Sequence, residues 1–242
     1  MIVILLAFAA GWLVGREQAG PVRSARAASF ELQRYSGKHL AAVTIGTGFL
    51  ISHLGLALTA YHVVRGGKLL IARFATGPER PAQLLAFSTE QDLALIQIDL
   101  SRARPDLRLR STPARIGAQL LAIGNARGAF LGATFGRLLA KHQPPATGAG
   151  GLAGDTLLTD LPLRPGDSGG PVLASGEVVG ISDYIVTRGS RELSYAISVH
   201  HDLTLIARLI RRGTGGSRIR PGIPPPARSV QIRSGRGRAT KG

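Results

Sequence analysis

The chain has 242 residues and is 44% hydrophobic, enough for a sizeable core, so wholesale disorder is excluded. It contains no cysteine, which excludes structural disulfides, thiolate catalysis and cysteine-ligated zinc. The formal net charge of +16 is unevenly spread, because residues 208–242 hold ten of the 30 Lys and Arg residues and no Asp or Glu.

Residues 1–15, MIVILLAFAAGWLVG, carry no charged side chain. They are short beside the roughly 17 to 25 residues of a membrane span, and read as a hydrophobic signal or membrane anchor. No Lys or Arg precedes the run, whereas Arg16, Arg23 and Arg26 follow it, a bias that favours an inner location for the body. Residues 16–36 read as a linker, in which ARA at 25–27 resembles a small-x-small cleavage site.

Short segments rich in Val, Ile, Leu and Thr follow, separated by Gly, Pro and Asp. Strands are expected near 40–51, 55–60, 68–74, 82–88, 93–99, 117–123, 131–140, 155–160, 171–174, 177–186 and 194–198. Many short strands at this spacing point to an all-β barrel or sandwich. HQPPATGAGGLAG at 142–154 reads as a long loop, a feature often functional in a compact domain. In SVHHDLTLIARLIRRG, Val199, Leu203, Ile206 and Ile210 recur at helical spacing and Gly213 is a stop. Arg208, Arg211 and Arg212 fall in its last turns, where the helix dipole favours cations. Residues 214–242, with PPP at 224–226, read as a basic disordered tail that could attract an anionic partner. It has no aromatic residue for base stacking.

The chemistry concentrates in RPGDSGGPV, residues 164–172. Three glycines and two prolines would weaken a strand; here they make a rigid turn that presents Ser168. A serine hydroxyl is a poor nucleophile and needs a base, which in turn needs a group that fixes its tautomer. Six histidines are available: His39, His53, His62, His142, His200 and His201. His62 differs from the rest because it closes the apolar strand LALTAY and is therefore held in place. Asp92 stands at the lip of the apolar run LALIQI, where a carboxylate is costly unless paired. Asp99 could serve the same role, but it closes the same run and reads rather as a surface turn. The order His62, Asp92, Ser168 is neither the Ser-first order of α/β-hydrolases nor the Asp-first order of subtilisins.

Six blocks carry a resemblance to the trypsin-like serine proteases, closest to the HtrA (Deg) group. They are GTGFLIS at 46–52, LTAYHVV at 58–64, DLALIQI at 92–98, LLAIGNARG at 120–128, LLTDLPLRPGDSGGPV at 157–172 and GEVVGISD at 176–183. The resemblance covers about 40–205, and the serine block is its most specific part. It implies an all-β, chymotrypsin-like fold over 37–213, with two six-stranded antiparallel β-barrels divided near 105–115 and a C-terminal helix. It implies a serine endopeptidase, with protein quality control as its setting. His62 would be the general base and acid, Asp92 its orienting carboxylate and Ser168 the nucleophile. Gly166, Asp167 and Ser168 would form the oxyanion hole. Pro162, Ile181, Ser182 and Ala196 would line the substrate pocket, whose apolar base favours small or medium apolar side chains before the cleaved bond. No cofactor or metal is implied; the partners would be protein or peptide substrates, the membrane through residues 1–15, and further copies of the chain. The family's extracytoplasmic, periplasmic setting stands against the charge bias around residues 1–15.

Two departures stand out. Asp167 replaces the Asn usual in the HtrA group, and no "IVGG"-like start is present to pair with it, so Asp167 is expected to pair with an arginine or to perturb the hole. Where many members of the HtrA group carry a PDZ module after the protease region, residues 214–242 read as a basic tail, so regulation by such a module is not expected. The alternatives are a catalytically silent binding protein on a protease scaffold and an anion binder acting through the tail.

Overall fold

The computed structural model describes residues 19–36, 41–126, 129–143, 155–188 and 191–215. A helix, α1, spans residues 19–28. Six strands follow: β1 (Ser29–Ser36), β2 (Ala41–Leu50), β3 (Leu56–Ala60), β4 (Leu69–Phe74), β5 (Arg80–Ser88) and β6 (Leu93–Ile98), with the single turn α2 (Tyr61–Val64) directly after β3. They close an antiparallel barrel in the order β1-β2-β3-β6-β5-β4. The second barrel, β10-β11-β12-β9-β8-β7, is built from β7 (Gln119–Gly124), β8 (Gly132–Gln143), β9 (Thr156–Thr159), β10 (Pro171–Ala174), β11 (Glu177–Arg188) and β12 (Arg191–Ser198). Helix α3 (Val199–Gly213) packs back on β5, β6 and β11. The expected pair of six-stranded barrels with a C-terminal helix is thus observed.

The apolar residues sort into three layers. Phe30, Leu32, Leu50, Ala57 and Ile96 fill the first barrel. Leu120, Leu138, Leu157, Val172 and Val179 fill the second. A third cluster joins the barrels and α3 through Phe49, Leu58, Leu95, Ile123, Leu173, Ile181, Ile206 and Leu209. This explains why β3 and β6 read as continuous apolar runs: one face lines the barrel and the other meets its neighbour.

Residues 19–36, expected as a linker, are α1 and the sixth strand of the first barrel. Phe30 and Leu32, two residues apart, are fully buried, and Phe30 packs on Phe74 with ring centroids 5.1 Å apart. Their short alternation is hidden between Ala-rich helix and the polar Gln33 and Arg34. Only the closure of the barrel, with β1 between β2 and β4, demands them. Phe30→Ala should therefore lower stability by about 3–5 kcal/mol, read as a lower denaturant midpoint; an unchanged midpoint would mean that β1 does not belong to the barrel.

Helix α3 is turned slightly from its expected face: Val199, Asp202, Ile206 and Leu209 are buried, while Leu203 and Ile210 pack at the margin. Gly213 lies within the helix, where a Cβ would come 2.8 Å from Leu85 Cβ. Of the expected loop 142–154, His142 and Gln143 belong to β8 and residues 144–154 lie outside the described residues, as do residues 1–18 and 216–242. No helix among the described residues is long and apolar enough to cross a membrane.

Candidate active site

The serine turn is built as its sequence demands. Asp167 N–H donates to the Arg164 carbonyl at 3.0 Å, closing a four-residue turn with Pro165 second and Gly166 third. Gly166 has φ 105°, so the turn has the type II signature, in which the third residue must tolerate positive φ. The loop then passes between the barrels. Thr47 N–H donates to the Ser168 carbonyl at 2.8 Å, and Thr47 Oγ1 donates to the Gly166 carbonyl at 2.7 Å. Asn125 Nδ2 donates to Thr47 Oγ1 at 2.9 Å, and Thr59 Oγ1 donates to the Thr47 carbonyl at 2.7 Å. A Cβ at Gly169 would lie 2.2 Å from Thr59 Oγ1, and one at Gly170 would lie 2.2 Å from the Ile123 carbonyl oxygen. These glycines let the loop press against both barrels at once.

Among the described residues no arginine side chain forms an ion pair with Asp167. Its carboxylate accepts from Ala126 N–H at 3.0 Å and from Arg164 N–H at 2.9 Å, while the Arg164 guanidinium pairs with Glu192 at 2.6 Å. Burial pushes the Asp167 carboxyl up, and the two backbone donors oppose it. The side chain is packed against Gly124, where a Cβ would come 2.0 Å from Asp167 Oδ1. The amides of Gly166 and Ser168 donate to no acceptor among the described residues.

His62 and Asp92 meet because β3 and β6 are antiparallel neighbours with Ala60 opposite Leu93. The residues just past the end of β3 therefore lie beside the residue just before β6. Tyr61 N–H donates to the Asp92 carbonyl at 2.7 Å, and His62 N–H donates to Asp92 Oδ1 at 2.8 Å. His62 Nδ1 hydrogen-bonds Asp92 Oδ2. Asp92 adopts φ 48°, a left-handed conformation that Asp tolerates better than most residues. Burial opposes a charge on His62, but the hydrogen bond and charge of Asp92, with a further contribution from Asp183, raise its pKa above 6.5.

The remaining candidates fall elsewhere. Asp99 is exposed at the far end of β6. His53 is exposed, His142 pairs with Asp155 at 2.7 Å, and His200 Nδ1 contacts the Ser111 carbonyl at 2.6 Å. His201 lies 3.7 Å from Asp155, and His39 is outside the described residues.

Ser168 Oγ donates to the Asp183 carbonyl at 3.0 Å, and no hydrogen bond joins it to His62. Asp183, an acid that by its sequence could face the substrate pocket, had no expected part in the triad. Its only signal is an acid in the middle of the apolar strand GISDYIV. Its carboxyl is buried, with Oδ1 3.9 Å from His62 Nδ1. Among the described residues, His62, Asp92 and Asp183 form the one acid–histidine grouping compact enough to share an ion. Because His62 Nδ1 and Asp92 Oδ2 are already joined by a hydrogen bond, the shared occupant that this geometry favours is a proton.

Of the four expected pocket residues, one is exposed and three are buried. Pro162 is exposed between buried Leu161 and Leu163. Ile181 is fully buried among Leu173 and Ile197, so its side chain belongs to the core between the barrels. Ser182 and Ala196, opposite each other in the β11–β12 ladder, are also buried. The part of β11 that meets Ser168 is Asp183, followed by half-buried Tyr184 and Ile185. The bulge between Ser182 and Tyr184 moves this contact along the strand.

Comparison with known proteins gives a consistent picture. The trypsin-like peptidase domain family matches residues 46–181. A probable periplasmic serine endoprotease, DegP-like, of Ectopseudomonas mendocina (strain ymp) is 35% identical over 169 residues, 66% of this chain and 34% of that protein. One of the same description from Halomonas elongata (strain ATCC 33173 / DSM 2581 / NBRC 15536 / NCIMB 2198 / 1H9) is 32% identical over 191 residues, 74% of this chain and 39% of that protein. The chain thus spans little more than a third of the length of the curated relatives it matches. The solved structure of the HtrA-type protease AlgW with a tripeptide superimposes with a TM-score of 0.72 at 29% identity, covering 81% of this chain and 64% of that one. The serine endoprotease from Yersinia pestis gives 0.67 at 27% identity, covering 80% and 66%.

Proposed function

The chain belongs to the trypsin-like peptidase domain family, and from this premise we propose that it is a serine endopeptidase that cleaves peptide bonds in proteins or peptides. The observation that carries the proposal is the double hydrogen bond from His62 to Asp92, set at the barrel junction beside a rigid turn that presents Ser168. Asp92 accepts from His62 Nδ1, which leaves Nε2 to take a proton from Ser168 Oγ. The hydroxyl attacks the substrate carbonyl, and the free amides of Gly166 and Ser168 receive the developing negative oxygen. His62 then protonates the leaving amine. Water, deprotonated by the same imidazole, releases the acyl group from Ser168. Because Ser168 Oγ rests on the Asp183 carbonyl, its hydroxyl must turn toward His62 before attack.

Asp167 supports this reading, since its carboxylate is held by two backbone donors behind the turn, away from the two free amides. Apolar Pro162 and half-buried Ile185 suit a small or medium apolar side chain before the cleaved bond. The periplasmic relatives support export with residues 1–15 as signal or anchor, and cell fractionation of a tagged full-length chain checks it: recovery in the cytoplasm alone would refute export.

The direct test is labelling of the full-length protein with a fluorophosphonate probe, which needs both an activated serine and a formed oxyanion hole. Wild type should label and Ser168→Ala should not. Failure of folded wild type to label would instead indicate a silent protease-fold protein.

A further inference from the structure

We propose that Asp183 is a positioning residue that shares a proton with Asp92, holding the Asp92 carboxylate against His62 as a neutral acid and, on losing its proton, trapping His62 as the cation. The proposal rests on the triad proposed above and concerns how that triad is kept in its working protonation state.

The geometry carries the first half. Asp183 sits at the β11 bulge, which turns it out of the ladder with β12 and toward the other barrel. Its side chain is only 5% exposed, its Oδ1 lies 3.9 Å from His62 Nδ1, and its Oδ2 is buried with no hydrogen-bond partner. The groups that face it are few. Asp92 comes from the turn before β6, His62 from α2, and the Ser168 hydroxyl from the serine loop meets its carbonyl. Among the described residues no Lys or Arg pairs with its carboxyl, and the charge of Arg65 opposes protonation of His62.

Two carboxylates facing each other in a buried site do not both ionise readily. Both carboxylate oxygens of Asp92 already accept donors from His62. Asp183 has none for its carboxyl, so the proton between them belongs on Asp183. The neutral acid can then donate to Asp92, giving that carboxylate a third anchor. Burial, followed by the charge of Asp92, pushes the Asp183 carboxyl up to about 7, with His62 opposing the shift.

The second half follows from charge. With one proton to divide between them, the pair can be neutral Asp183 beside neutral His62, or ionised Asp183 beside imidazolium. Only the first arrangement leaves His62 able to accept the Ser168 proton. Ionised Asp183 draws the proton onto His62 and removes the base without altering the fold.

The test is the rate of fluorophosphonate labelling at Ser168 from pH 5 to 9 in full-length wild type, Asp183→Asn and Asp183→Leu, with the His62 Nδ1 proton followed by NMR. Asn keeps a donor toward Asp92 and cannot ionise, so its midpoint for rising activity should fall by about one pH unit. Leu keeps the volume and loses the donor, so labelling should slow about tenfold at every pH. Coincident midpoints for wild type and Asp183→Asn would overturn the proposal, as would undiminished labelling of Asp183→Leu. If folded wild type does not label at all, the triad assignment fails instead. The NMR titration then still decides the coupling: a His62 midpoint unchanged by Asp183→Asn would overturn it.

Discussion

Replacing Ser168 by alanine is expected to lower kcat/KM for a peptide substrate by about a millionfold while leaving the melting temperature within a few degrees of wild type. The magnitude follows from the way a serine triad works: each of the nucleophile and the base is useless without the other. His62→Ala should therefore lose about as much as Ser168→Ala, and the double variant little more. Asp92→Asn should lose about ten-thousandfold, because an amide in place of the carboxylate no longer accepts from Nδ1 and the imidazole is held in the wrong tautomer. The pH dependence has a fixed sign. His62 must be neutral to act as base, and its pKa is raised, since Asp92 and Asp183 outweigh the opposing effect of burial. The rate should thus rise with pH through a midpoint above 6.5. Steady-state kinetics of wild type and the four variants checks all of this. Additive losses in the double variant would show that His62 and Ser168 do not act as a unit, and a midpoint below 6.5 would show that Asp92 and Asp183 do not hold His62 in its cationic form.

Gly169→Ala is expected to be the most damaging single-methyl change in the serine loop. Gly169 has φ 84°, where an L side chain adds about 1–2 kcal/mol of strain. A Cβ there would also lie 2.2 Å from Thr59 Oγ1 and 2.3 Å from the Thr47 carbonyl oxygen. Thr47 cannot easily move away, because its N–H, carbonyl and hydroxyl hold the Ser168 carbonyl, Thr59 and Gly166. Overpacking adds about 1–3 kcal/mol, so the total loss should be about 2–5 kcal/mol, with probe labelling abolished. Gly176→Ala is the control: φ is 81°, yet nothing lies within 4 Å of the added methyl. It should lose only the backbone strain and label normally. Urea unfolding of the pair separates the two contributions. Equal losses would mean that the close approach of the serine loop to the first barrel has no energetic weight.

Much of the site was legible before folding because its local chemistry is written in short blocks. RPGDSGG needs only its own four-residue turn to present Ser168, and the glycine after proline anticipates the positive φ of Gly166. LTAYHVV and DLALIQI each place a polar residue at the end of an apolar strand. Their pairing required one further step, the antiparallel contact of β3 with β6, which the order of the blocks implied and the register of Ala60 with Leu93 realises. Helix α3 was legible from its period, although burial of Asp202 in place of full burial of Leu203 and Ile210 depends on what it packs against.

Other features carried little local signal. β1 offers two apolar residues at alternate positions, and it becomes a strand because the first barrel lacks an edge partner between β2 and β4 without it. Ile181 looked like a pocket residue because it lies near the serine in sequence resemblance. The pleat of β11 sends it into the shared core instead, and the bulge after Ser182 brings Asp183 to Ser168. Asp167 looked ready to meet an arginine, but its carboxylate is taken by one backbone donor from its own turn, Arg164, and one from the segment after β7, Ala126.

By itself, then, the sequence determined the elements whose signals are local: the alternation of its strands, the glycine-bearing serine turn, and the polar residues stationed at strand ends. The tertiary structure alone decided which buried groups confront each other across the two barrels. Asp183 is separated from Asp92 by a whole barrel's length of chain, and its surroundings depend on a bulge and a docking surface that no short window of residues contains. Burial and neighbouring charge are properties of the assembled interior, so the protonation state of that carboxyl becomes defined only when the barrels close around it.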